Sequence, residues 1–160
     1  MSDIQPMRSW SALIGFIGAS FVAGAIGSWA TFPGVRNWYP LLNKPDWNPP
    51  SSIFAPVWTA LYVLMGVAIW RAWRTHSSNV PRLVQLYFGQ LVLNALWSVL
   101  FFALKQPAWA LVEILALWGV LVWMLAGFWR TDRAAAALWA PYVLWVSFAT
   151  ALNAAIVRLN

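Results

Sequence analysis

The chain has 160 residues, of which 62% are hydrophobic, 17% aromatic and only 9% charged, with ten basic and four acidic side chains for a net charge of +6. So few charges cannot form the solvated shell that a soluble domain of this length needs over its core. The basic residues stand singly or in pairs at the ends of apolar runs, as cationic flanks do at lipid headgroups, which excludes nucleic acid as a partner. The absence of cysteine excludes disulfides, thiolate nucleophiles, Fe–S clusters and zinc–thiolate sites.

No charged residue lies between Arg8 and Arg36, between Asp46 and Arg71, or between Arg82 and Lys105. Runs of about 20 apolar residues cross a bilayer as helices. The expected fold is an all-α integral membrane protein, five transmembrane helices in a compact up-and-down bundle forming one domain over 1–160. The spans read as Trp10–Thr31, Ser51–Trp73, Arg82–Leu104, Pro107–Trp129 and Ala134–Val157. Arg8 ahead of an apolar stretch, with Ala23-Gly24-Ala25 after it, resembles a signal peptide. The apolar stretch runs on to Phe32, however, too long for such a segment, so it reads as the first membrane helix.

The first span carries Gly15, Ala19, Ala23 and Gly27 at four-residue spacing. Such a stripe permits close helix approach, within the bundle or across a homodimer seam. The connection that follows, 32–50, holds five of the ten prolines; it is expected to be a non-helical, stiff cap. The other connections, Arg74 to Pro81, Lys105-Gln106 and Arg130 to Arg133, are short and force antiparallel neighbours. Five spans put the termini on opposite sides. Arg8, Arg71, Arg74, Arg82, Arg130 and Arg133 on the N-terminal side outnumber Arg36, Lys44, Lys105 and Arg158, which favours a cytoplasmic N-terminus. No internal repeat of the kind that builds transporters is present.

Residues three, four and seven apart share a helix face. The second span then presents Phe54, Trp58, Tyr62 and Met65. The third presents Gln90, Asn94, Trp97, Ser98 and Phe101, and the fifth Tyr142, Trp145, Ala149, Leu152 and Asn153. At about 1.5 Å per residue, Trp58 and Trp97 lie roughly 10 Å below the surface that carries the long loop, Ala149 roughly 12 Å and Asn94 roughly 15 Å. Singly, Asn94, Ser98 and Asn153 read as ordinary interhelical hydrogen-bonding groups; three stripes at one depth below a rigid loop read as a cavity lined by flat rings. His76 lies in a short polar loop and reads as a solvated residue rather than a metal ligand, and no metal site is expected. A tetrapyrrole bound here would be held by stacking and edge contacts, without an axial histidine or cysteine. Glu113, the one acid within a span, is either a functional group or the partner of Lys105 or Arg158. Conventional hydrolysis lacks the second carboxylate or histidine it would require.

The segment Trp38-Tyr39-Pro40-Leu41-Leu42-Asn43-Lys44-Pro45-Asp46-Trp47-Asn48-Pro49-Pro50, followed by Pro56-Val57-Trp58-Thr59-Ala60-Leu61-Tyr62, resembles the translocator protein family, also called TspO/MBR, tryptophan-rich sensory proteins or peripheral benzodiazepine receptors. The likeness continues through Gln90, Asn94-Ala95-Leu96-Trp97-Ser98, Phe101-Phe102 and Pro141-Tyr142-Val143-Leu144-Trp145 to Leu152-Asn153. The resemblance implies a five-helix bundle, commonly a homodimer, in a bacterial cell membrane, binding porphyrins such as protoporphyrin IX with no covalent cofactor. In animal relatives it implies cholesterol and benzodiazepine-type ligands. Carried onto matching positions, it implies a pocket of Tyr39, Trp47, Trp58, Tyr62, Asn94, Trp97, Ser98, Trp145, Ala149 and Asn153. As alternatives it implies light-dependent porphyrin degradation through Trp58 and Trp145, or porphyrin or sterol transport. The segment Leu152–Arg158 lacks the tyrosine of the animal cholesterol-recognition pattern, which counts against sterol binding at that site. Val35, Tyr39 and Lys44 fit the same loose pattern in the loop.

Overall fold

A computed structural model describes residues 4–160, with side chains described from Ser9 onward; the side chain of Arg8, used above for orientation, lies outside the described residues. Five helices long and apolar enough to cross a membrane account for almost all of it. They are α1 (Ile4–Asn37), α2 (Phe54–Arg74), α3 (Val80–Ser98), α4 (Pro107–Thr131) and α5 (Arg133–Leu159). The protein is a multi-pass, all-α integral membrane bundle.

Their ends follow from local chemistry. Pro81 and Pro107 occupy first-turn positions of α3 and α4, where the missing N–H costs nothing. Asp132 caps α5, its carboxylate accepting the Ala134 N–H at 2.9 Å. The reversals after α2 and after the third span pass through His76 and Lys105, whose φ values of 52° and 55° lie in the left-handed region. That conformation is costly for side-chain-bearing residues and here turns α2 into α3 and α3 into α4.

Two stretches differ from the sequence reading. The first helix does not end at Thr31 but continues through Pro33 to Asn37, so 32–37 of the supposed non-helical cap are helical. One proline removes a single helical hydrogen bond, and Gly34 beyond it seats α1 against the Phe102 carbonyl. The third span is α-helical only to Ser98 and then widens into a π-helical turn, Val99–Ala103, in which Leu104 N–H reaches back to Val99 O at 2.9 Å. The extra residue in that turn brings Phe101 and Phe102 together under the loop, with ring centroids 4.8 Å apart.

The helices form a closed ring in the order α1, α2, α5, α4, α3, with α1 wedged between α2 and α3. The wedge rests on small residues. Gly24 leaves room for the Tyr62 ring, a Cβ on Gly27 would lie 3.1 Å from Ser98 Oγ, and Gly66 of α2 receives the backbone of α1 at Ile17. Of the small-residue stripe, Ala19 and Ala23 pack on the main core and Gly27 on α3, while Gly15 faces open space. The core runs along the ring axis through Met65, Tyr87, Leu117, Leu121, Met124, Phe128, Trp139 and Tyr142, all essentially inaccessible. A second, smaller cluster of Phe101, Ala110, Leu152 and Ile156 lies beneath the loop.

Candidate functional site

The floor of the candidate site is a polar knot at the centre of the ring. Tyr142 of α5 donates its hydroxyl proton to Gln90 Oε1 at 2.9 Å and accepts from Asn94 Nδ2 at 3.0 Å. Gln90 Nε2 turns to the Met65 sulfur at 3.8 Å. All four side chains are buried, so the amides and the phenol satisfy one another where no water is available.

Above this floor stand half-buried rings. Trp58 and Tyr62 of α2 stack with centroids 5.5 Å apart, and Trp58 meets Tyr142 edge-on at 6.2 Å. Tyr62 is held from behind by Gly24 and Phe21 of α1. On α3, Trp97 stacks on Phe101 at 5.2 Å and donates its indole N–H to Asn153 Oδ1 at 3.1 Å. Asn153 in turn donates to Pro107 O at 2.8 Å, fastening α5 to the start of α4. Tyr39 descends from the loop onto Phe101 and Phe102.

The loop is tied down at both ends. Tyr39 donates to Asn48 Oδ1 at 2.9 Å, and Lys44 crosses the loop to the carbonyls of Tyr39 and Leu42 at 2.9 and 2.8 Å. Burial pushes the Tyr39 phenol above its ordinary value, with the bond to Asn48 acting the other way. Asn43 and Asn160 form a latch. Asn43 N–H donates to Asn160 Oδ1 at 3.0 Å, Asn160 Nδ2 returns to Asn43 O at 3.0 Å, and Asn43 Nδ2 reaches Leu159 O at 3.2 Å.

The ten sequence-expected residues therefore fall into adjoining groups. Trp58, Tyr62 and Asn94 meet around Tyr142, and Tyr39, Trp97 and Asn153 meet around Phe101. Trp47 and Trp145 are joined through Phe148, at 5.9 and 5.5 Å, with Phe54 also on Trp145. No ring contact links Trp145 to Trp58 among the described residues. Ala149 packs on the main core, and Ser98 points at Gly27 of α1. Sequence reasoning assigned no wall to α1 and placed neither Phe102 nor Phe148 in the pocket; close glycine contacts and a π-helical turn carry no marker in composition.

Glu113 is not ion-paired as one reading of the sequence had it. Its residue is 8% exposed and neither carboxylate oxygen has a hydrogen-bond partner, while Lys105 and Arg158 point to solvent. The ion pair found among the described residues is Arg71–Asp132 at 2.9 Å. No group of three His, Cys, Asp or Glu side chains comes together among them.

Comparison with known proteins agrees with this architecture. The chain is 41% identical over 149 residues to the tryptophan-rich protein TspO of Chlorobaculum tepidum, covering 90% of this chain and 92% of that one. It is 34% identical to the tryptophan-rich sensory protein of Cereibacter sphaeroides, covering 94% and 92%. It is 37% identical to the human translocator protein, covering 91% and 82%. The TspO/MBR family profile matches residues 16–159, and with its five apolar helices and its tryptophan-rich sequence, the chain belongs to the TspO/MBR family.

Proposed function

We propose that this family member is a binding and sensing protein for porphyrins of the protoporphyrin IX type and related flat hydrophobic ligands, working in a bacterial cell membrane as a homodimer. The observation that supports this most is the stacking of half-buried rings on their neighbours, Trp58 on Tyr62 and Trp97 on the buried Phe101, above a hydrogen-bonded floor and below a tethered loop. Flat faces that are not fully covered by their own neighbours suit a flat aromatic guest, while the fully paired floor offers it no axial ligand. Tyr39 and Trp47 would close over the guest, and Asn94, Ser98, Ala149 and Asn153 would border it.

Titration of the purified protein with protoporphyrin IX in the dark tests this reading. Saturable quenching of tryptophan fluorescence is expected, weakened by up to about tenfold in Trp58→Ala and in Trp145→Ala through loss of ring stacking. Unchanged affinity in both variants would overturn the pocket. Repeating the titration under light distinguishes binding from degradation: many-turnover loss of porphyrin absorbance, slowed in Trp145→Phe, would make the protein an enzyme.

A further inference from the structure

A groove of about 300 Å³ opens between α3 and α4 on the outer face of the bundle, remote from the loop. Its lining is divided by chemistry. Arg82 and Gln85 stand at the end nearest the N-terminal side. Leu86, Leu93 and Val120 form the sides, Trp123 overhangs one edge, and Gly89 leaves the middle open. A Cβ on Gly89 would meet nothing within 4 Å, so the gap there is the absence of a side chain. Gln90, at the base, spends its amide inward on Tyr142 and Met65, which leaves the bottom of the groove effectively apolar. From Arg82 to Leu93 the helix climbs roughly 16 Å, enough for a stretch of acyl chain below a headgroup.

Among the described residues, the charge at the polar end is uncompensated. Asp132, the described acid at this end of the bundle, is already bound to Arg71. Arg82 lies over the Trp123 ring at 4.2 Å, as Arg74 lies over Trp70 and Arg133 over Trp129. A guanidinium held over an indole still has N–H groups to offer, and those match a phosphate. Arg82 is the member of this set that stands at the mouth of an apolar groove.

We infer that the α3–α4 groove holds one anionic phospholipid, its phosphate on Arg82 and one acyl chain along Leu86, Gly89, Leu93 and Val120. The groove opens outward and shares Gln90, at its base, with the floor of the interior pocket. A second copy of the chain seated on the same face is the competing occupant.

Native mass spectrometry of the detergent-solubilised protein, titrated separately with dioleoylphosphatidylglycerol and dioleoylphosphatidylcholine, tests it. One tightly held phosphatidylglycerol is expected, preferred over phosphatidylcholine by about fivefold, as one interfacial arginine can supply. Arg82→Gln should abolish the preference and Arg82→Lys should keep most of it. Gly89→Leu should weaken both lipids by filling the channel, and Arg74→Gln, which changes the same charge outside the groove, should leave the preference intact. A preference surviving Arg82→Gln, or falling equally in Arg74→Gln, would overturn the site in favour of diffuse charge attraction. Loss of dimer with unchanged lipid binding in Gly89→Leu would assign the groove to a second copy instead.

Discussion

Single side chains in this bundle are positioned by who satisfies them. Tyr142 serves two amides at once and Asn153 bridges an indole to a helix start, so each is a polar group whose burial is compensated. Glu113 is an exception, a buried carboxyl with both oxygens unpartnered. Removing a carboxyl from water without a partner is costly, and apolar replacement of such a group is commonly neutral or stabilising. Glu113→Leu and Glu113→Gln are therefore expected to unfold at a higher temperature than the unsubstituted protein in detergent, with Leu the more stable. A lower midpoint in both would mean that this carboxyl gains a partner in the working protein. The stripes Phe54–Met65, Gln90–Phe101 and Tyr142–Asn153 were legible from helical spacing, because a membrane helix that turns amides and phenols to one side must hide that side. That Glu113 stands unpaired was not legible, since its closeness in sequence to Lys105 says nothing of which way the lysine points.

Helices rather than residues decide how the bundle closes. At the α4–α5 corner, Asp132 combines an N-cap with an ion pair to Arg71 of α2. Burial raises its carboxyl, but the Arg71 hydrogen bond, the Ala134 backbone bond and the Arg71 charge outweigh that and hold it below its ordinary value of 3.8. Because the folded value is depressed, the stability it contributes is present above pH 3.8 and is lost as pH falls through the lower folded value. Asp132→Ala should cost about 1 kcal/mol at neutral pH from the cap. The gap in thermal midpoint between variant and parent should narrow only below pH 3.8, and a gap independent of pH would remove the carboxylate from this role. Span positions could be read from hydropathy because charges mark their ends. The continuation of α1 to Asn37 could not, since Pro33 has the signature of a helix breaker and only the tertiary seat of Gly34 on Phe102 shows why it is tolerated. The ring order was equally hidden. Short loops indicate antiparallel succession, whereas α1 enters between α2 and α3 through glycine contacts that no periodicity reports.

At the level of the whole molecule, the tryptophans divide into two populations. Trp139 is buried in the core, with its indole N–H on Leu121 O at 3.1 Å, and Trp58, Trp97 and Trp145 are half-buried within. Trp10, Trp29, Trp109, Trp123 and Trp129 face outward, where indoles settle at lipid headgroups. The loop is part of the same global design, since it is bound to the far end of the chain rather than to its own flanking helices alone. Substituting Asn43→Ala together with Asn160→Ala is expected to speed amide hydrogen exchange in 38–50 severalfold, while the thermal midpoint stays nearly unchanged because the exposed bonds of the latch add little to the core. Unaltered exchange in that segment would show that the prolines and Lys44 suffice to hold it.

The latch also sets an order of events during synthesis. Residue 43 emerges from the ribosome long before residue 160, and the two partners lie 117 positions apart. While α3, α4 and α5 are still being made, the loop lacks this far anchor and is held by its own bonds, Tyr39 to Asn48 and Lys44 to the carbonyls of Tyr39 and Leu42. The fastening of the loop to α5 is thereby deferred until the last turn of that helix has been made.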